Sequence, residues 1–157
     1  MKPFIKLFLF ALIAGSSALA FAAKISVHGH RGARAVRPEN TISAFQYALE
    51  VGVDVLEMDL AVTKDNVLVL QHDPYIDPKI CLDKNQRRIK TQLPIHELTL
   101  SQVKEFDCGT LKNPRFKRQV PQRGEKIPTL AEVFDFVKKS KIPSASTVEF
   151  NIETKIE

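Results

Sequence analysis

Two histidines, one fixed cation and three carboxylates carry the chemistry legible in this chain. His30 and Arg31 sit in the run His28-Gly29-His30-Arg31-Gly32-Ala33, and Pro38-Glu39-Asn40-Thr41 follows it. Glu57-Met58-Asp59 and His72-Asp73 come next, and Glu153 lies in Asn151-Ile152-Glu153-Thr154-Lys155. An imidazole with a pKa near ~6.5 takes and gives protons around neutrality, so His30 and His72 suit paired general base and general acid work. Arg31 offers a planar fork of donors to phosphate oxygens. Glu57 and Asp59 are two residues apart, which on a strand puts them on one face about 6.5 Å apart at the backbone. Carboxylates so placed can converge on one hard cation, and Glu153 adds a third if its strand runs beside theirs. Oxygen-only ligation favours Mg²⁺ or Ca²⁺ over Zn²⁺. The inventory is that of metal-assisted hydrolysis of a phosphate ester. His28 and His96 are read as structural, His28 backing His30 and His96 sitting in a Pro-Ile-His-Glu loop.

These residues need elements to position them. Lys24 to His30 reads as a strand, with Ile25 and Val27 on one face and Ser26, His28 and His30 on the other. Pro38 and Asn40-Thr41 then open a helix whose apolar positions Ile42, Phe45, Ala48 and Leu49 recur at helical spacing, with Gly52 as its stop. Asp54 to Val62 is a second strand, with Leu56, Met58 and Leu60 opposite Glu57 and Asp59. Val67 to Leu70 is a short apolar run. Pro74 to Ile127 is rich in Pro, Lys, Arg, Asn and Gln, with one helical patch from Thr99 to Phe106, and reads as an insertion. A second helix begins at Leu130, with Thr129 as N-cap and Glu132 completing a capping box. Its apolar stripe is Leu130, Val133, Phe134 and Val137. The third strand is Val148 to Thr154, with Glu149, Asn151 and Glu153 on one face. Strand, helix, strand, insertion, helix, strand is the opening of a βα series on a parallel sheet.

Composition narrows the class. Lys2 and Lys6, the apolar run Phe8 to Ile13 and the small-residue stretch ending in Ala20-Phe21-Ala22 form a secretory signal, with Ala18-Leu19-Ala20 as a second cleavage candidate. An uncleaved N-terminal anchor is the alternative, although the apolar stretch is shorter than the ~20 residues a spanning helix needs. The expected organisation is a signal peptide at 1–22 and one domain at 23–157, exported to the periplasm or secreted, with no stable membrane insertion after cleavage. Removing Lys2 and Lys6 lowers the formal net charge of +5 by two. Arg115, Lys117, Arg118, Arg123 and Lys126 are interleaved with Pro, Gln and Gly, so they read as a solvated loop with a minor attraction for anionic substrate, not a nucleic-acid face. Cys81 and Cys108 either pair, as an exported protein allows, or remain two thiols.

The motifs quoted above, with Ala44-Phe45, Gly52-Val53-Asp54, Thr63-Lys64-Asp65 and Ile127-Pro128-Thr129-Leu130-Ala131-Glu132-Val133, closely resemble the glycerophosphodiester phosphodiesterase family. The Asn151-to-Lys155 run resembles that family's Asn-Ile-Glu-x-Lys strand. The resemblance implies a TIM-type (β/α)8 barrel that hydrolyses glycerophosphodiesters to glycerol 3-phosphate and an alcohol. It further implies His30 and His72 as the acid/base pair, Glu57, Asp59 and Glu153 as ligands of one Mg²⁺ or Ca²⁺, and Arg31 and Lys155 as phosphate contacts. The insertion at 74–127 would cap the site and select the head group. A full barrel takes about 250 residues, so this chain is expected to hold the first three or so βα units. It is then a fragment of a longer product or a truncated gene, poorly folded and inactive in isolation. The alternatives are an inactive remnant of such an enzyme and a related barrel phospholipase acting on sphingomyelin or lysophospholipid.

Overall fold

The computed structural model describes residues 25–154, so the proposed signal segment and Lys155 lie outside the described residues. Its centre is the strand β2, Val55–Val62, which is buried from Val55 to Leu60. Burial on both faces requires cover on both. On one face Leu56, Met58 and Leu60 pack against Phe45, Ala48 and Leu49 of helix α1 (Ile42–Val51) and Val133 and Val137 of helix α3 (Leu130–Lys139). Each large aliphatic or aromatic side chain withdrawn from water this way is worth about 1.5–3 kcal/mol. Glu57 and Asp59 project from the opposite face, 7% and 0% exposed, so β2 divides an apolar layer from a charged one.

The helix boundaries follow from their end residues. Thr41 caps α1 by accepting from the Ala44 N–H, and Gly52 closes it in the left-handed region at φ 78°. Thr129 accepts from the Glu132 N–H while the Glu132 carboxylate accepts from the Thr129 N–H, the reciprocal capping box expected for α3. Phe134, expected on the α3 stripe, is 40% exposed and meets Phe150 edge-on at 4.9 Å.

Two expectations need correction. The first strand does not fill the described part, 25–30, of its expected Lys24-to-His30 range. Its ladder, β1, is only His28–Gly29, parallel to Val55 and Leu56 of β2, and Ile25 and Val27 are exposed. The chain leaves the ladder early because Arg31 (φ 52°) and Gly32 (φ 78°) turn it out of the sheet. The sheet is also mixed, not parallel. The apolar run after β2 forms β3, Leu68–Leu70, which folds back antiparallel with Leu60 opposite Leu70. The Thr63-to-Asn66 turn is too short for a crossover, so only a hairpin return is open to the chain. On the other side of β2 lies β6, Glu149–Thr154, parallel, with Glu57 opposite Asn151 and Asp59 opposite Glu153. Two complete βα units and a third parallel strand are thus described.

The segment between β3 and α3 has its own architecture. β4 (Tyr75–Ile76) and β5 (Leu93–Pro94) form a two-stranded sheet, and helix α2 (Leu100–Val103) is shorter than the sequence suggests. Ile76, Ile80, Ile95, Val103, Phe106 and Ile127 build a second small core, with Val69 of β3 in it. Cys81 and Cys108 are disulfide-bonded within that core, which resolves the alternative in favour of pairing. Asp107, 0% exposed, accepts from the N–H groups of Gly109, Thr110 and Gly124 and from the Thr110 hydroxyl. Among the described residues no helix is long and apolar enough to cross a membrane.

Candidate active site

One edge of β2 organises the site. The Glu57 carbonyl accepts from the Gly32 N–H at 3.2 Å, and the Asp59 carbonyl accepts from the Gln71 N–H at 3.1 Å. The two segments that carry the imidazoles, 30–32 and 71–72, are therefore tied to positions two apart on the strand that bears the carboxylates. Gly32 is required here. A Cβ at that position would lie 2.7 Å from the Ala44 side chain, and its φ is positive.

The carboxylates converge as expected. One oxygen each from Glu57, Asp59 and Glu153 lies within 4.8 Å of the others, two of the residues buried and Glu153 exposed. Hard oxygen donors at that separation fit one divalent cation, and gathering like charges is costly without compensation. Part of that compensation comes from the protein. The Arg31 backbone N–H donates to Glu57 Oε2 at 2.6 Å, and the Arg31 Nε stands 3.2 Å from Asp59 Oδ2. A terminal nitrogen of Arg31 donates to Glu39 Oε1 at 2.7 Å. Arg31, expected to meet phosphate, is thus first a partner of the carboxylate cluster, and its side chain is only 12% exposed.

The imidazoles have different settings. His30 Nε2 stands 3.8 Å from Glu57 Oε2, and its side chain is half exposed. His72 Nδ1 lies 2.7 Å from Asp73 Oδ1. With the carboxylate ionised, Nδ1 carries the hydrogen and Nε2 is left to accept a proton. His72 and Asp73 line a cavity of about 180 Å³ with Gln71, Leu60, Ile95 and His96. His96, read from sequence as a partnerless loop residue, therefore faces the same space as His72. His28 is exposed on β1.

Sequence reasoning placed Asn40 only at the opening of a helix and assigned no site role to it or to Glu39, Asn113 or Gln119. Asn40 is 2% exposed at φ 55°, and its Nδ2 donates to Asp59 Oδ2 at 3.0 Å. Its backbone N–H donates to the Arg31 carbonyl at 3.0 Å. Asparagine tolerates the left-handed region, so its place just before the Thr41 cap was a usable signal. Glu39 receives Asn113 Nδ2 at 3.3 Å in addition to Arg31. Gln119, 3% exposed, donates to the carbonyls of Arg34 and Arg37. Asn113 and Gln119 belong to the insertion, so that segment is bound directly to the loop bearing Arg31. Burial, then the charges of Arg31 and Arg115, hold the Arg34 guanidinium below the usual arginine range against the pull of Glu39 and Glu57.

Residues 30–157 match the sequence profile of the glycerophosphoryl diester phosphodiesterase family. The chain belongs to that family. A glycerophosphodiester phosphodiesterase of Caldanaerobacter subterraneus subsp. tengcongensis is 35% identical over 139 residues, covering 85% of this chain and 51% of that protein. A Silicibacter pomeroyi structure assigned to the glycerophosphoryl diester phosphodiesterases superposes with a TM-score of 0.78 at 29% identity, over 85% of this chain and 46% of that one. An Oleispira antarctica phosphodiesterase, solved with the product sn-glycerol-3-phosphate, superposes with a TM-score of 0.62 at 25% identity, over 83% and 44%. The chain spans about half the length of these relatives. Membership carries the TIM-type barrel fold, of which the described residues form a partial α/β portion.

Proposed function

We propose that the protein to which this chain belongs hydrolyses glycerophosphodiesters to glycerol 3-phosphate and an alcohol. The observation that carries the reading is the gathering of Glu57, Asp59 and Glu153 within 4.8 Å, beside both imidazole-bearing segments, in a chain of this family. The three carboxylates would hold one Mg²⁺ or Ca²⁺. Such an ion, when bound, would polarise a phosphoryl oxygen and offset charge developing on phosphorus. His30 and His72 divide the proton work, one taking a proton from the attacking oxygen and the other giving one to the departing alcohol. Asp73 keeps His72 in the tautomer that can accept at Nε2. Arg31, anchored by Glu39 and Asp59, and Lys155, outside the described residues, supply fixed positive charge to the phosphate. The insertion at 74–127 borders the site and is suited to contact the head group.

We further propose that the protein is exported, with residues 1–22 as a cleaved signal. The Lys2, Lys6 and Ala20-Phe21-Ala22 pattern supports this, and a buried disulfide suits an oxidising compartment. The test of the central reading is hydrolysis of glycerophosphocholine by the full-length protein. Chelator should abolish turnover and added Mg²⁺ or Ca²⁺ should restore it, while Glu57→Gln and Glu153→Gln should resist restoration. Undiminished turnover in excess EDTA would overturn the metal assignment. Turnover of lysophosphatidylcholine or sphingomyelin alone would favour the phospholipase alternative.

A further inference from the structure

Arg31 is held from two directions. Its main chain is pinned by the carboxylate layer, with its N–H donating to Glu57 Oε2 at 2.6 Å and its carbonyl accepting from the Asn40 N–H at 3.0 Å. Its guanidinium is aligned by Glu39 Oε1, 2.7 Å from Nη1, and by Asp59 Oδ2, 3.2 Å from Nε. The fork is planar, so fixing Nη1 and Nε also fixes the direction of Nη2. Glu39 is therefore the point at which this alignment can be tightened or loosened. A carboxylate held at one oxygen still turns about its terminal bond, whereas one held at both does not. The second oxygen of Glu39, Oε2, accepts from Asn113 Nδ2 at 3.3 Å. Asn113 is itself fixed within the insertion. Its N–H donates to Gln119 Oε1 at 2.7 Å, and its Oδ1 accepts from the Arg115 N–H at 3.0 Å. With Oδ1 committed to an N–H, the amide has one orientation, Nδ2 toward Glu39. Gln119 donates in turn to the carbonyls of Arg34 and Arg37, on the loop that leads from Arg31 to Glu39.

We propose that Asn113 is a positioning residue of the phosphate site: it fixes Glu39, Glu39 aligns Arg31, and the insertion thereby sets how the guanidinium meets the substrate phosphate. The inference rests on the glycerophosphodiester reading above, in which Arg31 contacts that phosphate. The phosphate is common to every substrate of the class, so this contribution of the insertion is independent of the head group.

Asn113→Asp tests this with little change of shape. It keeps an oxygen for the Arg115 N–H and replaces only the donor that faces Glu39 with an acceptor. In the full-length protein it should lower kcat/KM about tenfold, the scale of one hydrogen bond to a charged group, and equally for glycerophosphocholine and glycerophosphoethanolamine. Glu39→Gln should cost a similar factor, because its amide nitrogen then faces either Arg31 or Asn113 Nδ2, donor against donor. Combining the two restores a complementary pair, since the new amide accepts from Arg31 through its oxygen and donates to the new carboxylate through its nitrogen. The double variant should therefore exceed both single variants in kcat/KM, whereas independent sites would multiply to about a hundredfold loss. Calorimetric titration with inorganic phosphate should follow the same order, weaker in each single variant and recovered in the double. If Asn113→Asp does not fold, Asn113→Ser keeps an oxygen for the turn, lacks the reach to Glu39, and should weaken phosphate binding in the same direction. Losses that multiply, a loss confined to one head group, or unchanged phosphate binding in the Asn113 variants each overturn the proposal. A wild-type protein that hydrolyses neither ester refutes the function, and the phosphate titration then decides the role of Asn113 by itself. If Arg31→Gln binds phosphate as tightly as wild type, the phosphate role of Arg31 falls and the proposal falls with it.

Discussion

Asn40 is a single residue on which the carboxylate face depends, and its replacement can be worked through. Asn40→Ala removes the 3.0 Å donor to Asp59 Oδ2, a bond to an ionised acceptor worth about 1.5–3 kcal/mol. It also removes the 3.4 Å contact from the Asp59 N–H to Asn40 Oδ1, which adds little at that length. Alanine must then adopt φ 55°, at a cost of about 1–2 kcal/mol for a residue with a Cβ. The expected loss is about 2.5–5 kcal/mol, a large fraction of the ~5–15 kcal/mol that holds a typical domain together. Asn40→Gly loses the same side-chain bonds but not the backbone term, so it should be more stable than Asn40→Ala by about 1 kcal/mol. Asn40→Asp keeps the size and sets a carboxylate against Asp59. It should be destabilised in EDTA and recover in part when Mg²⁺ or Ca²⁺ is added, because a cation answers the added charge. Urea unfolding of the full-length protein and its three variants, with and without divalent ion, measures all of this. If Asn40→Ala and Asn40→Gly cost the same, the backbone argument fails. If both cost under about 0.5 kcal/mol, the bond to Asp59 is not a structural tie.

Other outcomes follow from the same geometry. His30→Ala and His72→Ala should each lower kcat by about 10²–10⁴-fold with little change in KM, and near wild-type kcat in either would return that histidine to a structural role. Replacing Cys81 and Cys108 by serine opens a cross-link spanning 27 residues, which should cost about 3.5 kcal/mol in denaturant melts on the chain-entropy account. Burial alone would raise the Asp107 carboxyl, but hydrogen bonds from Thr110 and Gly109 outweigh it and hold the pKa below the usual aspartate range. A lowered folded value means that its contribution is complete above the ordinary carboxylate range and is lost as pH falls through the folded pKa. Asp107→Asn should therefore flatten part of the stability loss below about pH 4, measured by melting temperature against pH.

How much of this was legible in the sequence depended on whether the signal was local. Thr41 and Gly52 bound α1, and Thr129 with Glu132 opens α3, because caps and boxes are chemistry between residues three or four apart. The alternation in β2 revealed which face holds Glu57 and Asp59, but not that both faces would be covered. The direction of β3 was hidden, since a three-residue apolar run says nothing about its partner. The first strand is shorter than its pattern suggests because Ile25 and Val27 have strand character with no ladder to satisfy it. In the site, residue types were enough to nominate Glu57, Asp59 and Glu153, and the Asp59-to-Glu153 register then brought two of them side by side. The ties from Asn40 to Asp59 and from Asn113 to Glu39 span 19 and 74 positions, and no periodicity reaches that far.

The insertion leaves and rejoins the rest of the fold at nearly one point. Val69 bridges to Thr129, and the Leu70 N–H donates to the Pro128 carbonyl at 2.9 Å. With its mouth closed by backbone bonds, the segment behaves as a graft. Lengthening it changes the closure entropy by only about 0.6 kcal/mol per doubling, and the strand that bears Glu57 and Asp59 need not shift. Its own disulfide and small core hold it together locally, while Val69 in that core and the bonds from Asn113 and Gln119 tie it to β3 and to the loop bearing Arg31. Exchange of this piece would then redraw the border of the site while Glu57 and Asp59 kept their place on β2.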